Sequence, residues 1–224
     1  MIALRYRKSY RIRRVDGCIN NPEFSRIICR NAMVRIVGNK RALAVSTASL
    51  AIGVYGLARN VTSTLPEPLA KGGHWQFLTN LSLVYLLVVF VVGVAAHATG
   101  SQRLFDIKNT LHPIGMALEF VVAVVYWPLR LFFMHLLAND PLKFSLPLLT
   151  DLCIHLMPVV SLMIDYLVYM PPWLLLNLTA LALMAGLTMG YWSLLKYLIE
   201  EDGYYPYAFL NVDTEAQRMV MFVA

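Results

Sequence analysis

The stretch KGGHWQFLTN, residues 71–80, runs without a break into LSLVYLLVVFVVGVAAHA, residues 81–98. The second segment contains no Asp, Glu, Lys or Arg. It approaches the ~20 apolar residues that a helix needs to cross a bilayer. A glycine pair, an amphipathic tryptophan (Trp75) and a hydroxyl (Thr79) therefore stand at the mouth of a membrane span, where a polar loop meets lipid. The rest of the chain agrees. Of its 224 residues 58% are hydrophobic and 14% charged, against roughly a quarter charged in soluble domains. The expected fold is an all-α integral membrane protein of about five transmembrane helices.

Three regions follow from the charge pattern. Residues 1–41 form a basic N-terminal tail (Arg5, Arg7, Lys8, Arg11, Arg13, Arg14) with only Asp16 and Glu23 acidic. It lacks an apolar h-region, which argues against a cleaved secretory signal. It reads as a tail lying on anionic lipid headgroups, with an organellar transit peptide as the alternative. The apolar remainder argues against nucleic-acid binding. Residues 42–198 form the membrane domain, with spans expected at 42–58, 76–98, 111–133, 146–170 and 173–198. Small residues in the first span favour close helix packing. The stretch 99–109 is expected as a polar loop, Pro113 in a first helical turn, and Pro128 at a kink. Residues 199–224 form a polar, aromatic C-terminal segment. The basic tail and the Arg103–Lys108 loop both fall on the cytosolic side by the positive-inside rule. Cys18, Cys29 and Cys153 have neither metal spacing nor the look of a disulfide framework.

Ionisable groups inside spans are functional candidates by default because they are costly to place there. Glu119, Asp151, His155 and Asp165 qualify. Asp151 precedes His155 by one helical turn, on the same face. Thr79 and His155 belong to spans that start on the same side of the membrane. They lie on the order of 5 Å and 14 Å into those spans. A threonine hydroxyl needs an adjacent base to act as a nucleophile, and histidine is the usual one. The plainer roles are helix capping for Thr79 and interhelical hydrogen bonding for His155. His74 is expected at the surface, and no two histidines have a helical zinc spacing.

GGHWQFLTN resembles the GG-x-W-(K/Q)-F-L-T motif of the androgen-induced/FAR-17a membrane family. Asp151-Leu-Cys-Ile-His155-Leu-Met-Pro158, followed by Asp165, is similar to that family's histidine segment. Tyr205-Pro206-Tyr207-Ala208-Phe209-Leu210 resembles its tyrosine–proline–phenylalanine–leucine signature. The three matches cover about residues 72–210. The resemblance implies an intramembrane hydrolase of lipid esters, namely fatty acid esters of hydroxy fatty acids. It places the threonine nucleophile on Thr79 and the intramembrane histidine on His155. It also implies a further span beginning near residues 219–224, so that a shortened six-span bundle is the alternative architecture. The implied location is the endoplasmic reticulum or another endomembrane.

On that reading Asp151 orients His155, and Glu119 is a second supporting acid. Asn80 or a backbone N–H at Gly72-Gly73 serves the oxyanion. Arg130 pairs with Asp151, holds a substrate carboxylate or snorkels to headgroups. Trp75 and Arg130 are the candidates for substrate contact. No cofactor or metal is implied. The expected partners are membrane lipids and a lipid ester, and the oligomeric state stays open. The competing class is a non-enzymatic membrane protein, such as a lipid carrier, small transporter or scaffold. Its intramembrane acids and histidine would line a path, although no inverted repeat supports it.

Overall fold

The structure is a computed structural model that describes residues 37–137, 146–173, 177–199 and 203–223. The basic tail as far as residue 36, and the expected loop around Asn139-Asp140-Pro141, lie outside the described residues. Helices make up all the regular structure among the described residues. Four of them are long and apolar enough to cross a membrane, and a bent pair adds a fifth span if counted as one.

Helix α1 (Lys40–Val61) starts where Asn39 Oδ1 accepts from the Arg41 N–H at 2.9 Å, a standard N-cap. Its buried face is Ala42, Ser46, Ser49, Gly53 and Gly56. A Cβ on Gly56 would stand 2.8 Å from Ile154 Cγ2 and 3.1 Å from Cys153 Cβ, so the helices meet backbone to side chain, as small residues permit. A short helix α2 (Glu67–Ala70) follows Pro66. Helix α3 (Leu78–Thr99) is the centre of the bundle, contributing Leu83, Leu86, Val89 and Phe90 to a core completed by Ile154 and Leu162.

The polar loop expected at 99–109 is not a loop. Gly100, with φ 66°, closes α3, and Ser101 caps the next helix through Leu104 N. Helix α4 (Gln102–Phe132) therefore begins nine residues before the expected third span and holds both Pro113 and Pro128 inside it. Polarity misled the reading, because Gln102 bonds Asp106 at 2.8 Å on the outer face while Lys108 turns inward. Its ammonium is fully buried at 2.7 Å from Asp165 Oδ2, and His112 Nε2 lies 3.4 Å from the same oxygen.

A short helix α5 (Met134–Leu137) ends this part. The fourth span is broken. Helix α6 (Leu148–His155) and helix α7 (Met157–Tyr169) meet at Leu156 with a 43° bend. Pro158 lies in the first turn of α7, where its missing N–H costs least. The break frees the His155 carbonyl, which accepts from the Trp127 indole N–H at 3.3 Å.

Helix α8 (Asn177–Leu198) is the most loosely packed span. Within its apolar window 11% of residues are buried, against 44% in α3. The chain then turns back through a 3₁₀ turn at Ala208–Leu210. Helix α9 (Glu215–Val223) occupies the region where the resemblance implied a further span. Arg218 ties it down by donating to the Leu210 and Val212 carbonyls, each at 2.9 Å, and by lying over the Tyr205 ring. Glu215 pairs with Lys196 and Arg218, and the Lys196 hydrogen bond holds its carboxyl below the ordinary value.

Candidate functional site

The loop before α3 is stitched by amides. Gly73 has φ 64°, a backbone region that favours glycine. The buried Gln76 side chain donates to the Leu69 carbonyl at 2.7 Å and the Gly73 carbonyl at 2.9 Å. Gly72 leaves room for it, since a Cβ there would meet the Gln76 amide at 2.8 Å. Asn80 is fully buried. It donates to the His74 carbonyl at 2.7 Å and accepts from Asn60 Nδ2 at 2.6 Å. Thr79, in the first turn of α3, is thereby held on a rigid loop–helix junction.

Two tyrosines from the C-terminal third reach this junction. Tyr191 of α8 donates its hydroxyl proton to the Gln76 carbonyl at 2.8 Å. Tyr207 accepts from the Leu78 N–H at 3.2 Å and lies against the Thr79 side chain and Tyr191. The Tyr207 ring also meets Phe77 edge-on.

His155 closes the other side. Its Nδ1 lies 2.8 Å from Asp151 Oδ1, and Asp151 Oδ2 lies 3.5 Å from Arg130 Nε. The Tyr126 ring stacks on the imidazole, with centroids 3.4 Å apart and planes 4° from parallel. Both Asp151 and His155 are buried. Asp151 therefore fixes the Nδ1 edge and leaves Nε2 as the ring nitrogen it does not hold.

Thr79, Tyr207, Tyr126 and His155 line one cavity of about 1750 Å³. Most of its wall is apolar. Phe120, Val121 and Val124 of α4 contribute to it although they are exposed on the outer face of the bundle. The cavity thus continues to the surface that would meet lipid, beside the loosely packed α8. Among the described residues no hydrogen bond joins Thr79 directly to His155.

The remaining expected site residues are placed differently. Asn80 has both ends of its amide engaged and lies outside the cavity lining, as do Gly72 and Gly73. Trp75 is 49% exposed and also outside the lining. Arg130 is occupied by Asp151. Glu119 is buried behind the wall against the Ser82 hydroxyl, and Ser82 donates to the Thr79 carbonyl at 3.1 Å. His74, expected at the surface, is half-buried and faces the cavity. Among the described residues no group of three His, Cys, Asp or Glu side chains is placed to hold a metal.

Sequence reasoning missed Tyr126, Trp127 and Tyr191, and quoted Tyr207 without giving it a task. One signal was available. A tyrosine or tryptophan within or beside an apolar span has a polar tip that needs a partner.

Comparison with known proteins agrees with this architecture. The profile of the FAR-17a/AIG1-like protein family matches residues 42–224. A UPF0641 membrane protein of Saccharomyces cerevisiae is 30% identical, covering 84% of this chain and 85% of its own. A UPF0641 membrane protein of Schizosaccharomyces pombe is 31% identical, covering 67% of this chain and 68% of its own. No solved structure matches the chain. The chain belongs to the FAR-17a/AIG1-like family and is a multi-pass integral membrane protein.

Proposed function

We propose that the protein hydrolyses lipid esters within the membrane, with Thr79 as nucleophile and His155 as general base. The observation that carries this reading is the shared cavity: Thr79 and His155 come from different spans and line one largely apolar chamber. The second support is the hydrogen bond from His155 to Asp151, which leaves Nε2 as the base. Hydroxyl, imidazole and carboxylate supply the three roles of an activated nucleophile.

In the proposed course Thr79 Oγ1 attacks the ester carbonyl and passes its proton to His155 Nε2. The tetrahedral intermediate collapses as the carbon–oxygen bond to the alcohol breaks, and the imidazolium returns the proton to the leaving alkoxide. Water then attacks the acyl-threonine, gives one proton to His155, and releases the acid as Thr79 regains its hydrogen. A contact between nucleophile and base often tightens only in the substrate complex. Long acyl chains fit an apolar chamber that opens toward lipid, and fatty acid esters of hydroxy fatty acids are the favoured class. The endoplasmic reticulum is the proposed membrane.

The test is hydrolysis of such an ester by the purified chain in liposomes. Thr79→Ala and His155→Ala each abolish turnover while expression and thermal stability persist. Retained turnover in either variant contradicts the mechanism.

A further inference from the structure

We propose that Tyr207 is the oxyanion donor of this site, an inference that rests on the threonine-hydrolase reading above. An ester hydrolase needs a donor aimed at the carbonyl oxygen as it becomes an alkoxide. The donors nearest in sequence do not meet that need. Asn80 Nδ2 is given to the His74 carbonyl at 2.7 Å, and neither Asn80 nor the Gly72-Gly73 backbone lines the cavity.

Tyr207 does line it, with its hydroxyl against the Thr79 side chain. The hydroxyl oxygen accepts from Leu78 N–H at 3.2 Å, so that contact does not use the phenolic proton. Tyr191 spends its own proton on the Gln76 carbonyl and can only accept from Tyr207. The Tyr207 proton is thus not committed to the Leu78 contact, and rotation about the phenolic C–O bond can turn it toward Thr79 or Tyr191. The oxyanion forms on the carbon that bonds to Thr79 Oγ1, so a donor already beside that side chain needs only a small rotation to reach it. A phenol with a reference pKa of about 10 stays protonated at neutral pH. Tyr207 keeps its proton throughout. It strengthens its hydrogen bond as negative charge grows on the carbonyl oxygen, and relaxes when the intermediate collapses.

The experiment uses the full chain, Tyr207→Phe, the 4-nitrophenyl ester of a long-chain fatty acid, and two inhibitors of matching chain length. One is a trifluoromethyl ketone, which forms a tetrahedral adduct with a nucleophile. The other is an ether, which occupies the chamber without reacting. In Tyr207→Phe, kcat falls about 100-fold with KM unchanged, as for removal of one oxyanion donor. The ketone weakens by a similar factor, and ether affinity is unchanged. Equal weakening of ketone and ether, or an unaltered kcat, overturns the assignment.

A second variant, Tyr207→3,5-difluorotyrosine, keeps the shape but ionises nearer neutral pH. Its kcat loses activity at a lower pH than the wild type, and an unchanged pH profile also overturns the assignment. Thr79→Ala, run alongside, separates the two claims. If it is inactive while Tyr207→Phe keeps the full rate, the hydrolase reading stands and Tyr207 is not the donor. If Thr79→Ala turns over, the hydrolase reading fails and this inference falls with it.

Discussion

His155 Nδ1 lies 2.8 Å from Asp151 Oδ1 across a single helical turn, at the point where the fourth span breaks. The two facts are coupled. The break at Leu156 leaves the His155 carbonyl to Trp127, while Tyr126, the neighbour of that tryptophan, stacks on the ring. One turn of α4 thus holds the histidine by its backbone and by its face. Asp151→Asn replaces the acceptor-only carboxylate with an amide whose N–H can donate to Nδ1, so the tautomer with a basic Nε2 is no longer selected. By analogy with the loss of a triad carboxylate, kcat falls roughly 10²- to 10⁴-fold with little change in KM. Hydrolysis kinetics check this, and a kcat within threefold of wild type contradicts it.

Asn80 has a supporting task rather than a chemical one in this account. Asn80→Ala breaks its bonds to Asn60 and to the His74 carbonyl. The loss of stability is about 1–3 kcal/mol, the cost of leaving buried polar groups unpaired. Thermal unfolding in detergent measures it. The ratio of ketone to ether affinity stays at the wild-type value, because the donor to the oxyanion is elsewhere.

Lys108 and Asp165 are both fully buried and 2.7 Å apart. Lys108→Met strands a carboxylate beside His112 and costs about 3–5 kcal/mol. Combining it with Asp165→Leu recovers much of the loss, since a buried pair is often replaceable by apolar residues of similar volume. A double-mutant cycle on thermal stability reads the coupling. Additive losses would show that the pair is not a unit.

Gly56 lets α1 approach the turn that ends in His155. Gly56→Val places new carbon against Ile154 Cγ2, which stands 2.8 Å from where a Cβ would lie. Overpacking of this kind costs about 1–3 kcal/mol. It also displaces the neighbouring His155, so kcat drops further than Tm alone implies. A variant with wild-type kcat and Tm would mean that the contact yields freely.

Much of the architecture was legible in residue order. The apolar run after Thr79 marks α3, and the i, i+4 spacing of Asp151 and His155 anticipates their shared face. What was illegible depended on partners remote in sequence. Lys108 looks like a loop charge until Asp165, 57 residues later, draws it inside. Asn80 looks like a free donor until Asn60 and the His74 carbonyl engage both ends of its amide. Tyr207 reaches Leu78 across 129 residues, a contact that no local pattern encodes. The break at Leu156 was masked because Pro158 in an otherwise apolar run is compatible with either a kink or a new helix start.

The central claim is that Thr79 is an activated nucleophile. The most direct measurement is covalent labelling of the purified chain with a long-chain fluorophosphonate, with the modified residue located by mass spectrometry. The account predicts one adduct, on Thr79, that is absent in Thr79→Ala and strongly slowed in His155→Ala. A folded wild-type chain that stays unlabelled, or an adduct that persists in Thr79→Ala, would contradict it.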